Sequence, residues 1–274
     1  MISMRVLNRN VVKRAVLVAS TTAGALAIDN LQTNDKSKVW RATSASATIT
    51  GTLPVAEAIA CMHMTHCNLS PTATWRIRLY SGVVGTGLLL DTGTVYACPA
   101  PARELEDWTP AQAASAYSNG GGAHAFAYFA STMGRSFVID IIDTANLQGY
   151  IEAAAALVAG AYWEPLHSAT DATMRPVDGT VLYRTAAGTQ LADAGNIHRV
   201  LPIELGYMVA DDRTKFVNML MSSRASPILV DLVPGSADLA LRRDNMIYGR
   251  RPKDSDVGFK HAIAYGSSIE VEEI

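Results

Sequence analysis

Along much of this chain apolar and polar residues alternate with a period of two, the spacing of a strand with one buried face. The clearest case is Thr74-Trp75-Arg76-Ile77-Arg78-Leu79-Tyr80. Thr33 to Ile49 alternates around Val39 and Trp40, with turn chemistry at Asn34-Asp35. Ala15 to Ala19, Phe137 to Ile142 and Tyr150 to Ala159 are short apolar runs of strand length. Ala153 to Ala156 suits a helix on propensity, but the β-rich surroundings and the following Gly160 favour a strand. Thr48 to Thr50 and Ala58 to Met64 read as two strands separated by a turn over Gly51 to Pro54. Ser81 to Gly87 reads as a glycine-rich hairpin turn, since it lacks the lysine of a phosphate loop.

After about residue 165 the pattern changes. Val181 to Arg184, His198 to Tyr207, Ile228 to Val233 and Met246 to Tyr248 read as strands. Asp211-Asp212 places acidic side chains at the positive end of a helix over about 211–222, with Phe216, Val217 and Leu220 on one face. Phe259 to Ala264 and Ser268 to Val271 read as a terminal hairpin around Gly266. The expected organisation is an N-terminal arm (1–27), a β-sandwich (28–164), a Thr-, Asp- and Pro-rich linker (165–179) and a smaller β-rich domain with one helix (180–274). Many short strands at regular spacing make the class mainly β.

Composition narrows the function. Apolar residues are 49% of the 274 and charged residues 18%, enough for a sizeable core. The net charge of -2 gives no basic field for nucleic acid, and we expect no such partner. The longest apolar stretch, Tyr150 to Trp163, carries Glu152 and is shorter than the roughly 20 residues of a membrane-spanning helix, so we expect no insertion. Arg5, Arg9, Lys13 and Arg14 before a mildly apolar stretch imitate a secretory leader, but Ser20, Thr21, Thr22 and Gly24 interrupt it, and we expect none. The three cysteines are Cys61, Cys67 and Cys98. Cys61 and Cys67 lie roughly 20 Å apart along a strand, beyond disulfide reach, so we expect reduced thiols.

Candidate chemistry is sparse. Cys61, His63, His66 and Cys67 offer four zinc-type donors within seven residues. In a regular strand Cys61, His63, Thr65 and Cys67 share one face and His66 takes the other, too spread for one ion without a bend, and we expect no metal. Asp140 and Asp143 could form a carboxylate pair with Glu152 as a third, but Asp143 to Asn146 reads as a turn. The nucleophile-elbow, zinc-helix and phosphate-loop motifs are absent, so we expect neither catalytic residues nor a cofactor. Arg242, Arg243, Arg250, Arg251 and Lys253 form a basic cluster interleaved with aspartates, which suits contacts or solvation. The segment from Pro99 to Ala123 is long, irregular and rich in proline and glycine. Its Leu105, Trp108 and Tyr117 are the side chains able to serve a subunit interface or, with Tyr128, to stack on a glycan.

The order Asn30-Leu31-Gln32, Val39-Trp40-Arg41, Ala47 to Thr50, Cys67 to Ser70, Thr74 to Tyr80, Arg135 to Asp140 and Gly149 to Glu152 through Gly160 to Trp163 resembles a galactose-binding-like (discoidin-type) jelly roll. Together with Pro227 to Leu232 and Ile247 to Arg250 it is similar to minor structural proteins of the tail tip or baseplate of tailed bacteriophages. That resemblance implies a non-enzymatic virion component, made in the host cytoplasm. It implies a ring or other symmetric homo-oligomer in contact with further tail proteins. The alternative it leaves open is a carbohydrate-binding module that recognises the host surface.

Overall fold

The computed structural model describes residues 4–98, 123–167, 169–186, 188–223, 226–261 and 264–274. Leu105, Trp108 and Tyr117, and the interface expected around them, lie outside the described residues. The expected class holds: mainly β, a jelly-roll sandwich followed by a smaller β-rich part carrying a helix. The chain divides into two compact units. One comprises 9–162 and 237–243; the other takes 1–8, 163–236 and 244–274. No helix among the described residues is long and apolar enough to cross a membrane.

β1 (Arg5–Leu7) belongs to the second unit, and the strands of the sandwich follow it. These are β2 (Val16–Ala19), β3 (Asp35–Arg41), β4 (Ser46–Cys67), β5 (Thr74–Tyr80), β6 (Leu88–Tyr96), β7 (Ala123–Ile142), β8 (Glu152–Ala155) and β9 (Leu157–Gly160). They form an antiparallel eight-stranded sheet ordered β3-β8-β4-β7-β5-β6, with β2 and β9 also on β4. β4 and β7 run beside each other almost throughout. The other edge of β4 takes β2 against its first half and β9 against its second. Register shifts between Thr52 and Glu57, and again between Ile59 and Cys61, mark bulges where the long pair bends over the core.

Gly51 to Pro54 is therefore no turn; β4 passes straight through it. Gly51 is required because the Phe137 ring lies over its Cα: a Cβ there would meet ring carbons at 2.1 to 2.7 Å. Pro54 falls in the bulge, where no ladder hydrogen bond is lost. Ser81 to Gly87 is the hairpin turn expected, closed by Ser81 N–H donating to Gly87 O at 2.9 Å. The alanine run is extended, in two pieces that part at Ala156, just after Ala155, whose φ is +61°. The core holds Leu31, Trp40, Ile49, Trp75, Ile77, Phe137, Ile139 and Leu157, all buried.

The second unit continues with β10 (Asp171–Ala172), β11 (Arg175–Asp178), β12 (Val181–Arg184), β13 (Gln190–Asp193), β14 (Ile197–Met208), α1 (Ala210–Ser223), β15 (Ile228–Asp231), α2 (Leu239–Asp244), β16 (Met246–Arg250), β17 (Val257–His261) and β18 (Ala264–Glu273); most of α2 falls to the sandwich unit. Its sheet runs β1-β15-β16-β18-β14-β10, with β11 on β14 and β17 on β18. Two expected boundaries are corrected. The arm is no separate piece, since β1 pairs with β15 and β2 with β4. The linker contains β10 and β11, both laid on β14. Gly266 sits within β18 opposite Gly258, not at the turn. The helix is found where expected, but its buried face is Asp212, Phe216, Met219 and Ser223. Asp212 accepts from Trp163 Nε1 at 3.0 Å and from the Leu166 N–H at 2.9 Å.

Candidate functional site

Residues directly opposite one another in an antiparallel sheet point to the same side. Thr48 on β4 lies opposite Asp140 on β7, Asp140 opposite Arg76 on β5, and Arg76 opposite Thr94 on β6. The row beside it is Ser46, Ile142, Thr74 and Tyr96; the row on the other side is Thr50, Val138, Arg78 and Asp91. The residues between these rows, Ala47, Ile49, Trp75, Ile77, Ile139 and Ile141, are buried in the core. Alternation along β4, β7 and β5, with a register shift at Gly93 of β6 that brings Asp91 into step, thus builds an outward face of hydroxyls, two arginines and two aspartates across four strands.

These groups hold one another in place. Thr48 Oγ1 donates to Asp140 Oδ1 at 2.9 Å, and Arg78 Nη2 donates to Asp140 Oδ2 at 2.5 Å. Arg76 grips Asp91 with two bonds, one from Nε to Oδ1 at 2.8 Å and one from Nη2 to Oδ2. The Gly93 N–H also donates to Asp91 at 2.9 Å. The Arg76 fork and this N–H hold the Asp91 carboxyl down at about 2, and Asp91 in turn raises the Arg76 guanidinium. The face is open: the Arg76 side chain is 45% exposed and Tyr96 is 63% exposed. A depression of about 440 Å³ lies here, with Ser20, Ser46, Thr48, Thr74, Arg76 and Asp140 among its walls. Tyr96, opposite Thr74, presents an aromatic ring beside it. Fixed hydroxyls, charge-assisted donors and acceptors and one exposed ring suit a polyol that hydrogen-bonds at its edges and stacks by its C–H face. Asp91, held ionised, has no proton to give to a leaving group.

The four-donor stretch folds differently from a regular strand. A register shift between Met64 and Cys67, with His66 at φ +47°, reverses the alternation at that point. His66 is brought beside His124, ring centroids 5.2 Å apart, and His124 stacks on His63 at the same spacing. His63 Nε2 and His124 Nδ1 share a hydrogen bond at 3.2 Å. Burial drives the His63 pKa down to about 3, aided by nearby His66, so the imidazole is neutral. Cys67 is turned into the core, its Sγ 3.7 Å from that of Cys98. Cys67 therefore leaves the side of the strand on which the histidines gather.

The remaining candidates have structural partners. Asp143 is buried and accepts from Ser70 N–H and Oγ and from Asn146 Nδ2, clamping the loop after β4. Glu152 pairs with Arg41 at 2.5 Å. Tyr128 packs edge-on against Tyr162, with the Arg242 guanidinium over the adjoining Phe126 ring at 4.1 Å. Arg251 donates to Leu220 O, and Lys253 pairs with Glu270. The face on β4, β5, β6 and β7 was missed from sequence because only β5 showed clean alternation. Its companion Thr48, Asp140, Thr94 and Tyr96 are legible only once the strand register is known.

The chain matches no protein-family model and no curated protein. Among solved structures it is similar to a Ruminococcus gnavus GH29 fucosidase in complex with fucose (12% identity, TM-score 0.39), covering 57% of this chain. This chain spans 27% of the fucosidase, about a quarter of its length. It is also similar to chitosan-binding module 1 from a chitosanase/glucanase of Paenibacillus sp. (10% identity, TM-score 0.37), covering 56% of this chain and 99% of the module. A third is the family 32 carbohydrate-binding module of Clostridium perfringens NanJ in complex with galactose (13% identity, TM-score 0.38), covering 56% and 98%. None of these three is a phage tail protein, and they lend the expected virion role no support.

Proposed function

We propose that the sandwich unit is a non-catalytic carbohydrate-binding module that receives sugar on the outer face of β4, β7, β5 and β6. The observation that carries this reading is the registered row Thr48–Asp140–Arg76–Thr94 beside the exposed Tyr96 ring. A pyranose laid on the row spans two neighbouring strands, about 4.8 Å apart, and meets a hydroxyl or a charged group on each. Arg76 and Arg78 are preorganised by their aspartates, so little ordering cost falls on binding. The test is a glycan array with the purified chain, followed by calorimetric titration of the strongest ligand. Tyr96→Ala and Arg76→Ala are each expected to weaken binding roughly tenfold, equivalent to about 1.4 kcal/mol, with the fold retained. A wild-type chain that binds no glycan, or variants that bind it undiminished, would overturn the assignment. The titrated sugar should be recovered unchanged.

A further inference from the structure

We infer that Cys67 and Cys98 are disulfide partners, joined when the chain folds in the presence of an oxidising thiol–disulfide partner. Their sulfurs lie 3.7 Å apart in one core, although the residues are 31 positions apart in sequence. A disulfide needs about 2.05 Å, a closure within the reach of small side-chain rotations. Both backbones are held. Cys67 ends β4, paired with Ala123 and Ala153. Cys98 follows Ala97, whose N–H donates to Ala73 O at 2.9 Å and whose carbonyl accepts from Phe126 N–H at 3.1 Å. Cys61 is excluded by direction: it lies opposite Tyr128 on the strand face that carries His63, whereas the bulge at His66 has turned Cys67 into the core.

The step is an ordinary double exchange. The thiolate of one cysteine attacks the sulfur–sulfur bond of oxidised glutathione, forming a mixed disulfide and releasing one glutathione thiolate. The second cysteine attacks the protein sulfur of that mixed disulfide and releases the other. Two protein thiols lose two electrons and two protons, and one oxidised glutathione becomes two reduced molecules. Both thiols are 2% exposed in the folded unit. Burial also raises the Cys98 thiol well above its usual range, which starves the reaction of thiolate once folding is complete. The bond therefore forms during folding rather than afterwards, and the closed loop keeps β4 tied to the end of β6.

The experiment refolds the full chain from denaturant in a mixed oxidised and reduced glutathione buffer, alkylates it under denaturing conditions and maps the peptides by mass spectrometry. The expected chain has lost two hydrogens, carries one alkyl group, on Cys61, and yields a peptide pair joining Cys67 to Cys98. Cys61→Ser should leave that link intact, and Cys98→Ser should leave Cys67 alkylated. Folded reduced protein given the same buffer should link far more slowly than refolding protein. Once linked, the unit should unfold at higher urea, with the unfolded fraction reduced roughly a hundredfold at a given concentration. Three alkylated cysteines after refolding, or a link that involves Cys61, would overturn the pairing. Should Cys98→Ser fail to fold, the wild-type peptide map alone decides.

Discussion

Gly51 and His63 show how closely single residues are constrained in the sandwich. Phe137 is fully buried, and its ring fills the space where any side chain at position 51 would begin. Gly51→Ala must push that ring into a filled core, so it should destabilise the protein by about 1–3 kcal/mol, read as a lower urea midpoint at an unchanged slope. His63 makes the second case. Its pKa is about 3 when folded, against 6.5 as the ordinary value. Between those limits the unfolded chain binds a proton that the folded one does not, so its contribution to stability is complete above pH 6.5 and fades as the pH falls towards 3. Stability should therefore drop by about 1.4 kcal/mol per pH unit on this group's account. His63→Phe should lessen the acid slope of urea unfolding measured from pH 7 to pH 4 by about one proton.

At the scale of elements, the bulges decide what the strands can display. Regular alternation would place Cys67 with Cys61 and His63 and turn His66 away. One left-handed residue at His66 exchanges those positions, which brings the histidines together and sends Cys67 to Cys98. Ala155 does comparable work between β8 and β9: at φ +61° it lets β8 pair with β3 and β9 with the second half of β4. A left-handed residue with a Cβ costs roughly 1–2 kcal/mol, and more when the side chain branches at that carbon. Ala155→Val is thus expected to destabilise by about 2 kcal/mol or more, while Ala155→Gly should stay within about 1 kcal/mol of wild type in thermal unfolding. In β5, by contrast, unbroken alternation puts Trp75, Ile77 and Leu79 inward and Thr74, Arg76 and Arg78 outward, as its sequence alone predicts.

For the whole molecule, the charge distribution bears on what the open face can bind. Arg76 pairs with Asp91 and Arg78 with Asp140, and the chain carries only -2 overall. A neutral glycan held by hydrogen bonds and stacking is little affected by screening, so its affinity should change less than about twofold between low and high salt in a titration. A steep salt dependence would point instead to an acidic polysaccharide drawn by the two guanidinium groups. The two-unit division also bears on truncation. A cut at residue 164 leaves β1 without β15, and removing residues 1–8 takes a strand from the second unit's sheet.

Period-two patterning, turn residues and an acidic helix start were sufficient to specify a mainly β chain, its hairpin at Ser81 to Gly87, its helix near 211–222 and the inward side of β5. These depend on contacts between near neighbours in sequence, which local pattern records. The polar outer face of β4, β7, β5 and β6, the approach of Cys67 to Cys98, the histidine cluster and the assignment of β1 and β10 to the second unit depend on strand register and bulges. Register brings together residues dozens of positions apart, and one inserted residue reverses every side chain beyond it. Thr48, Asp140, Arg76 and Thr94 form one row because β4, β7, β5 and β6 are packed over a common core, and it was that tertiary packing, not local pattern, that decided it.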